Sequence, residues 1–191
     1  WAQAVLRSVG RLALFTGMAP FLPRLLLSCA VAAATPPDPG RIAFTRLWSS
    51  ADGATHIKRC DVQRMTKKPL PGGQTAQYVR DLGSSVRPTD LVFTQQVGEN
   101  PWHQCPTAQF VVTLAGQWFV NTTDGDSVVL GPGDVLYQDD FRGREIQGIR
   151  PVHYSGVVDG PCNQMVISTP AVEPTVGDPG CDWPDAQLLH W

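Results

Sequence analysis

The chain has 191 residues, a formal charge of −2 and 17% charged residues, below the rough quarter usual for soluble domains. Near-neutrality removes the electrostatic drive toward nucleic acid or acidic polymers, and the length holds one sizeable core plus appendages. Seventeen prolines and 18 glycines favour a turn-rich all-β chain over a helical one, and cysteines 29, 60, 105, 162 and 181 form no CxxC pair and hence no structural zinc motif.

Residues 1–35 are apolar, with Arg7, Arg11 and Arg24 the only charges. Neither Leu12–Pro23 nor Leu25–Thr35 reaches the roughly 20 residues of a membrane span, and joining them would place Arg24 mid-membrane. A basic start, an apolar middle and the small-residue runs Ala30-Val31-Ala32 and Ala32-Ala33-Ala34 fit a targeting peptide; a retained, membrane-lying helix is the alternative. An exported or organellar, membrane-associated chain is the expectation. Thr35–Gly40 carries three prolines and reads as a linker, so residues 1–40 are leader and linker.

Arg41–Trp48 and Thr55–Val62 alternate as strands around the Asp52-Gly53 turn. On the second, His56, Lys58, Cys60 and Val62 share a face. Met65–Gln77 contains Pro69, Pro71, Gly72 and Gly73, which bars regular structure through its centre. Asp90–Val97 is a strand, and Gly98-Glu99-Asn100-Pro101 turns the chain. Ala108–Ala115 and Gln117–Asn121 are strands reversed at Gly116. Asp126–Leu130 follows the Asp124-Gly125 turn, and Val135–Gln138 follows Gly131-Pro132-Gly133-Asp134. Val152–Val158 and Asn163–Ser168 close a set of nine or ten strands. Residues 169–191 form an irregular, Pro-rich tail whose Trp183 and Trp191 are expected to pack on this barrel or on a neighbour. Asn121-Thr122-Thr123 is a glycosylation sequon, relevant to an exported chain.

Trp102-His103, Pro106, Gln109-Phe110-Val111-Val112, Leu114-x-Gly116, the Asp124-Gly125 turn and Leu130-x-Pro132-Gly133-Asp134-Val135-Leu136 together resemble a small single-domain cupin over residues 41–168. The resemblance implies an all-β jelly-roll barrel. It also implies metal ligands: His103 matches the first histidine of the family pattern, Cys105 stands at the second, Gln109 at the glutamate, and His153 can supply the late histidine beyond the loop Arg142–Pro151. A divalent Fe, Zn or Mn at His103, Cys105, Gln109 and His153 is therefore one expectation, held less well than in the usual site because an amide replaces a carboxylate. A barrel without metal is the other, with His103 hydrogen-bonded and Cys105 a small core residue.

Pocket candidates are His56, Trp102, Tyr137, Asp139 and Tyr154. Asp139 or Asp140 can act as a base or orient His153, and Trp102 and Tyr154 can form an aromatic wall. In an exported chain Cys162 and Cys181 can close a tail loop, with Cys60 and Cys105 left over or paired. Two functions follow. One is a small-molecule-binding cupin, with oxygenase, isomerase or lyase chemistry. The other is a non-catalytic subunit held at a membrane or in an assembly by residues 1–35 and the Trp-rich tail. A homo-oligomer suits either.

Overall fold

The computed structural model describes residues 38–73, 75–82, 87–170 and 178–182. The expected leader at 1–35 and the tryptophans of the tail lie outside the described residues. Among the described residues no helix is long and apolar enough to cross a membrane, and none occurs at all. The described residues form ten strands instead: β1 Ala43–Ser49, β2 Thr55–Asp61, β3 Thr66–Pro69, β4 Ala76–Val79, β5 Asp90–Gln96, β6 Asn100–His103, β7 Gln109–Thr122, β8 Ser127–Leu130, β9 Val135–Gln138 and β10 His153–Ser168. The all-β architecture is as expected. Around the Pro71-Gly72-Gly73 turn, β3 and β4 pair as a small separate hairpin.

The main sheet runs β2-β1-β9-β7-β10-β5, with β6 added on β10 and β8 on β7. Two long strands form its spine. The first half of β7 pairs with β9 and with the end of β10, and its second half pairs with β8 and the start of β10. Gly116 does not reverse the chain as the sequence predicted; β7 runs through it and bends. Its φ is +77°, and a Cβ there would lie 2.4 Å from the Pro161 carbonyl oxygen, so only glycine fits. Opposite this bend the β7–β10 register shifts between Val158 and Asn163, and the two strands turn together. The predicted strands 152–158 and 163–168 are therefore one bulged strand.

Bending the spine folds the sheet into two facing halves, the jelly-roll arrangement. Alternate side chains of both halves meet inside: Leu47, Val111 and Leu136 from one, Trp118, Val120 and Leu130 from the other, with Cys162 among them. The indole N–H of Trp118 donates to Thr113 Oγ1 at 2.9 Å, which satisfies the one polar atom of the largest core ring. A second cluster, Phe44, Cys60 and Tyr137, lies on the opposite face with Phe110, Val135 and Cys181 packed against it.

That outer face is covered by residues 178–182. Cys60 and Cys181 form a disulfide, while Cys105 and Cys162 are free and buried. Neither Cys162–Cys181 nor Cys60–Cys105, pairings the sequence left open, forms, because Cys162 points into the core and Cys60 points out toward the tail. Lys58 donates to Asp178, and Arg46 Nη1 donates to the Gly180 carbonyl at 3.3 Å.

Candidate functional site

A cleft of about 740 Å³ opens between the two halves. Its first wall comes from β6 and β10. Residues 100–103, expected to begin as a turn, pair with the start of β10 so that His103 and His153 are direct cross-strand partners. Their rings lie 4.2 Å apart between centroids at 56°, and both line the cleft.

His153 is 2% exposed. Its Nδ1 lies 2.5 Å from Asp140 Oδ2. A carboxylate only accepts, so Nδ1 carries the proton and Nε2 is the nitrogen left for a ligand. Asp140 is fully buried and its other oxygen accepts from the Cys105 thiol at 3.3 Å. A bridge between Cys105 and Phe141, with Arg142 N–H donating to the Cys105 carbonyl at 2.6 Å, sets this geometry just beyond β9. Burial, then the negative charge of Asp140, pushes the Cys105 thiol strongly upward from its ordinary range, so it stays a protonated donor.

His103 is held differently. Its Nδ1 donates to the Pro101 carbonyl at 2.7 Å, and its Nε2 accepts from the Asn100 side-chain amide at 2.8 Å. Burial and then the neighbouring His153 lower its pKa, so the ring is neutral near pH 7. Within this arrangement the Asn100 amide donates to the free nitrogen of His103, the Cys105 S–H is turned to Asp140, and Asp140 accepts on both oxygens. Among the described residues no group of three or more His, Cys, Asp or Glu side chains is disposed to hold an ion.

The second wall is amide-rich. Gln109 on β7 and Gln138 on β9 are register partners, and Gln164 on β10 lines the same cleft. All three are at least nine-tenths buried. Gln138 Oε1 and Gln164 Nε2 have no hydrogen-bond partner, a state that costs roughly 1–3 kcal/mol for each buried group. Neither Gln138 nor Gln164 stood out in the sequence. The signal was their parity: each is two residues from an interior aliphatic, Leu136 or Val166.

Of the predicted site residues, His103, Cys105, Gln109 and His153 come together on the cleft, and the five pocket candidates do not. Neighbours on a strand point to opposite faces, so with His103, His153 and Gln138 facing in, Trp102, Tyr154 and Tyr137 face out. Trp102 and Tyr154 stack edge-on at 5.9 Å outside, where Tyr154 donates to Glu99. Tyr137 belongs to the outer cluster. His56 stacks on Trp48 and contacts Asp124 and Ser50, on the same outer face as Cys60. Asp139 pairs with Arg144 at 2.9 Å, and burial raises its pKa against that partner. The residue orienting His153 is Asp140.

No family model and no curated protein matches the chain. Among solved structures it is similar to an ethanolamine utilization protein Q of Salmonella typhimurium LT2, at 14% identity over 69% of this chain and 98% of that one with a TM-score of 0.31. It is also similar to protein NMB1881 of Neisseria meningitidis, at 15% identity over 41% of this chain and 71% of that one, again with a TM-score of 0.31.

Proposed function

We propose that the chain is a small-molecule-binding cupin whose cleft takes a polar organic ligand, with His153 as the base that meets it. The observation that carries this reading is the Asp140–His153 pair at the wall of a 740 Å³ cleft. A buried carboxylate fixes the imidazole tautomer and stabilises the cation that forms when Nε2 takes a proton. His103, stacked close by and neutral, leaves room for that single charge.

Such a group withdraws a proton from an O–H, or from a C–H made acidic by a neighbouring carbonyl, and returns it elsewhere. Among the activities the resemblance allows, this favours isomerase or lyase chemistry, which redistributes protons without a change of oxidation state. The test is a thermal-shift screen of polar metabolites against the wild type, His153→Ala and Asp140→Asn. A compound that raises the wild-type melting temperature by several degrees and leaves His153→Ala unmoved supports the reading. Equal responses in all three proteins, or none at all, contradict it.

A further inference from the structure

We infer that β5 is a docking edge for a second copy of this chain, the two β5 strands pairing antiparallel about a two-fold axis at Phe93. This goes beyond the cleft reading and does not depend on it. The two end strands of the main sheet differ in kind. β2 carries His56, Lys58, Arg59 and Asp61 and is tied to residues 178–182 by the disulfide and by Lys58. Charge and cover of this sort keep a sheet edge from pairing. β5 ends the sheet on the other side with Asp90 as its one charge and no proline or glycine. Among the described residues no strand pairs with its outer edge. Leu91 and Phe93 are 56% and 69% exposed on one face, and Val92 is 44% exposed on the other. Apolar side chains on both faces are the pattern of a strand inside a sheet, not at its rim.

The main chain is aligned for such a neighbour. Ser168 is the register partner of Asp90, and its carbonyl accepts from the Thr89 N–H, so the even-numbered residues of β5 bond to β10. Alternation turns the N–H and C=O groups of Leu91, Phe93 and Gln95 to the open edge. There the Leu91 N–H donates to the Asp90 carboxylate at 2.8 Å.

A second copy fits this edge by charge and by size. Turned about Phe93, Leu91 faces the partner's Gln95, Val92 the partner's Thr94 and Asp90 the partner's Gln96. Phe93 and the partner's Phe93 exchange two main-chain hydrogen bonds, with their rings side by side on the outer face. The two Asp90 carboxylates then stand at opposite ends of the ribbon, about 20 Å apart and beyond the Debye length of about 8 Å. A parallel pairing would set them side by side. A seven-residue strand is about 24 Å long, and pairing it buries on the order of 500 Å² per copy over both faces. That is the low end of specific interfaces, which makes the dimer concentration-dependent. The partner also reaches the site. Val92 and Thr94 line the cleft, and the partner's Thr94 and Val92 extend that inner wall by one strand.

The test is sedimentation equilibrium of the full, oxidised chain across a wide concentration range. The expected result is a reversible shift from 20.8 kDa to twice that mass. Phe93→Lys sets two ammonium groups face to face and is expected to weaken the dimer tenfold or more, as is Phe93→Glu with two carboxylates. Mixed in equal amounts, the two variants are expected to dimerise again, because lysine then meets glutamate. Val129→Lys, at another exposed apolar site, on β8, keeps the wild-type constant. Far-UV spectra check that each variant folds, as expected for side chains standing in solvent. A wild-type chain that stays monomeric throughout overturns the inference, and leaves a segment of the same chain or a different protein as the cover of β5. A dimer that Phe93→Lys leaves as tight as the wild type overturns it too, as does a mixture that fails to restore pairing.

Discussion

Asp140 Oδ2 sits 2.5 Å from Nδ1 of His153, with neither side chain in meaningful contact with solvent. Removing the carboxylate strands a buried imidazole N–H and the Cys105 S–H together. Asp140→Ala is therefore expected to destabilise the chain by about 1–3 kcal/mol for the imidazole N–H alone, read as a lower urea midpoint at unchanged slope. A change under about 0.5 kcal/mol, the range of ordinary surface substitutions, contradicts the pairing.

Cys105 is buried and donates to a carboxylate, which disfavours its thiolate. The thiolate is the reactive form. Iodoacetamide at pH 8 is expected to leave Cys105 unmodified in the native chain and to label it readily in urea, with peptide mass spectrometry as the readout. Fast labelling of the folded protein would show a thiolate and reopen the ligand role that the sequence allowed.

His103 has its pKa lowered by burial and by His153. The unfolded chain takes up this proton near pH 6.5 and the folded chain only at lower pH. Between the two values the unfolded state binds more protons, so stability falls as the pH drops through that window and the loss is complete below it. His103→Gln is expected to flatten this part of the stability profile, and the wild-type His103 resonance to titrate below about 6.5. A midpoint above the ordinary value would contradict the burial argument.

The disulfide joins residues 121 positions apart. Closing a loop of this size restricts the unfolded chain, with a chain-entropy contribution of about 4–5 kcal/mol. Cys60→Ser with Cys181→Ser is expected to lower stability by up to that amount and to loosen the contacts of Asp178 and Gly180 on the outer face. Faster hydrogen exchange on β2 with unchanged exchange at β10 would locate the effect. Equal stability of the oxidised and serine forms would contradict it.

Gly116 is the bend of the β7–β10 spine. Gly116→Ala drives a methyl into the Pro161 carbonyl and forces a left-handed φ on alanine, a strain of order 1–3 kcal/mol before the clash. A markedly lower melting temperature is expected. Gly125→Ala, at a turn with open space, is the comparator for φ strain without the clash, and an equal loss there would contradict the close-approach argument.

Much of the strand order was legible in the sequence because turn residues punctuate alternating runs: Asp124-Gly125 closes the β7–β8 hairpin, and Pro132-Gly133-Asp134 turns the chain from β8 to β9, which pair with different halves of β7. Gly116 misled because the same residue type serves a reversal and a bend, and nothing local tells them apart. The meeting of His103 and His153 was foreseen from the family resemblance, and the register of β6 on β10 realises it. The pocket set was overdrawn. Trp102, Tyr137 and Tyr154 are each adjacent to an inward residue, so the alternation rule itself sends them outward. Gln138 and Gln164 went unnoticed because uncharged amides carry no signal until burial shows them without partners.

The most direct test of the account is the nitrogen-15 spectrum of the His153 ring at pH 7.5, recorded before and after EDTA. The account predicts the tautomer protonated at Nδ1 with an unprotonated Nε2, the same in both spectra. A ring protonated at Nε2, or a metal-shifted signal that moves on chelation, would contradict it.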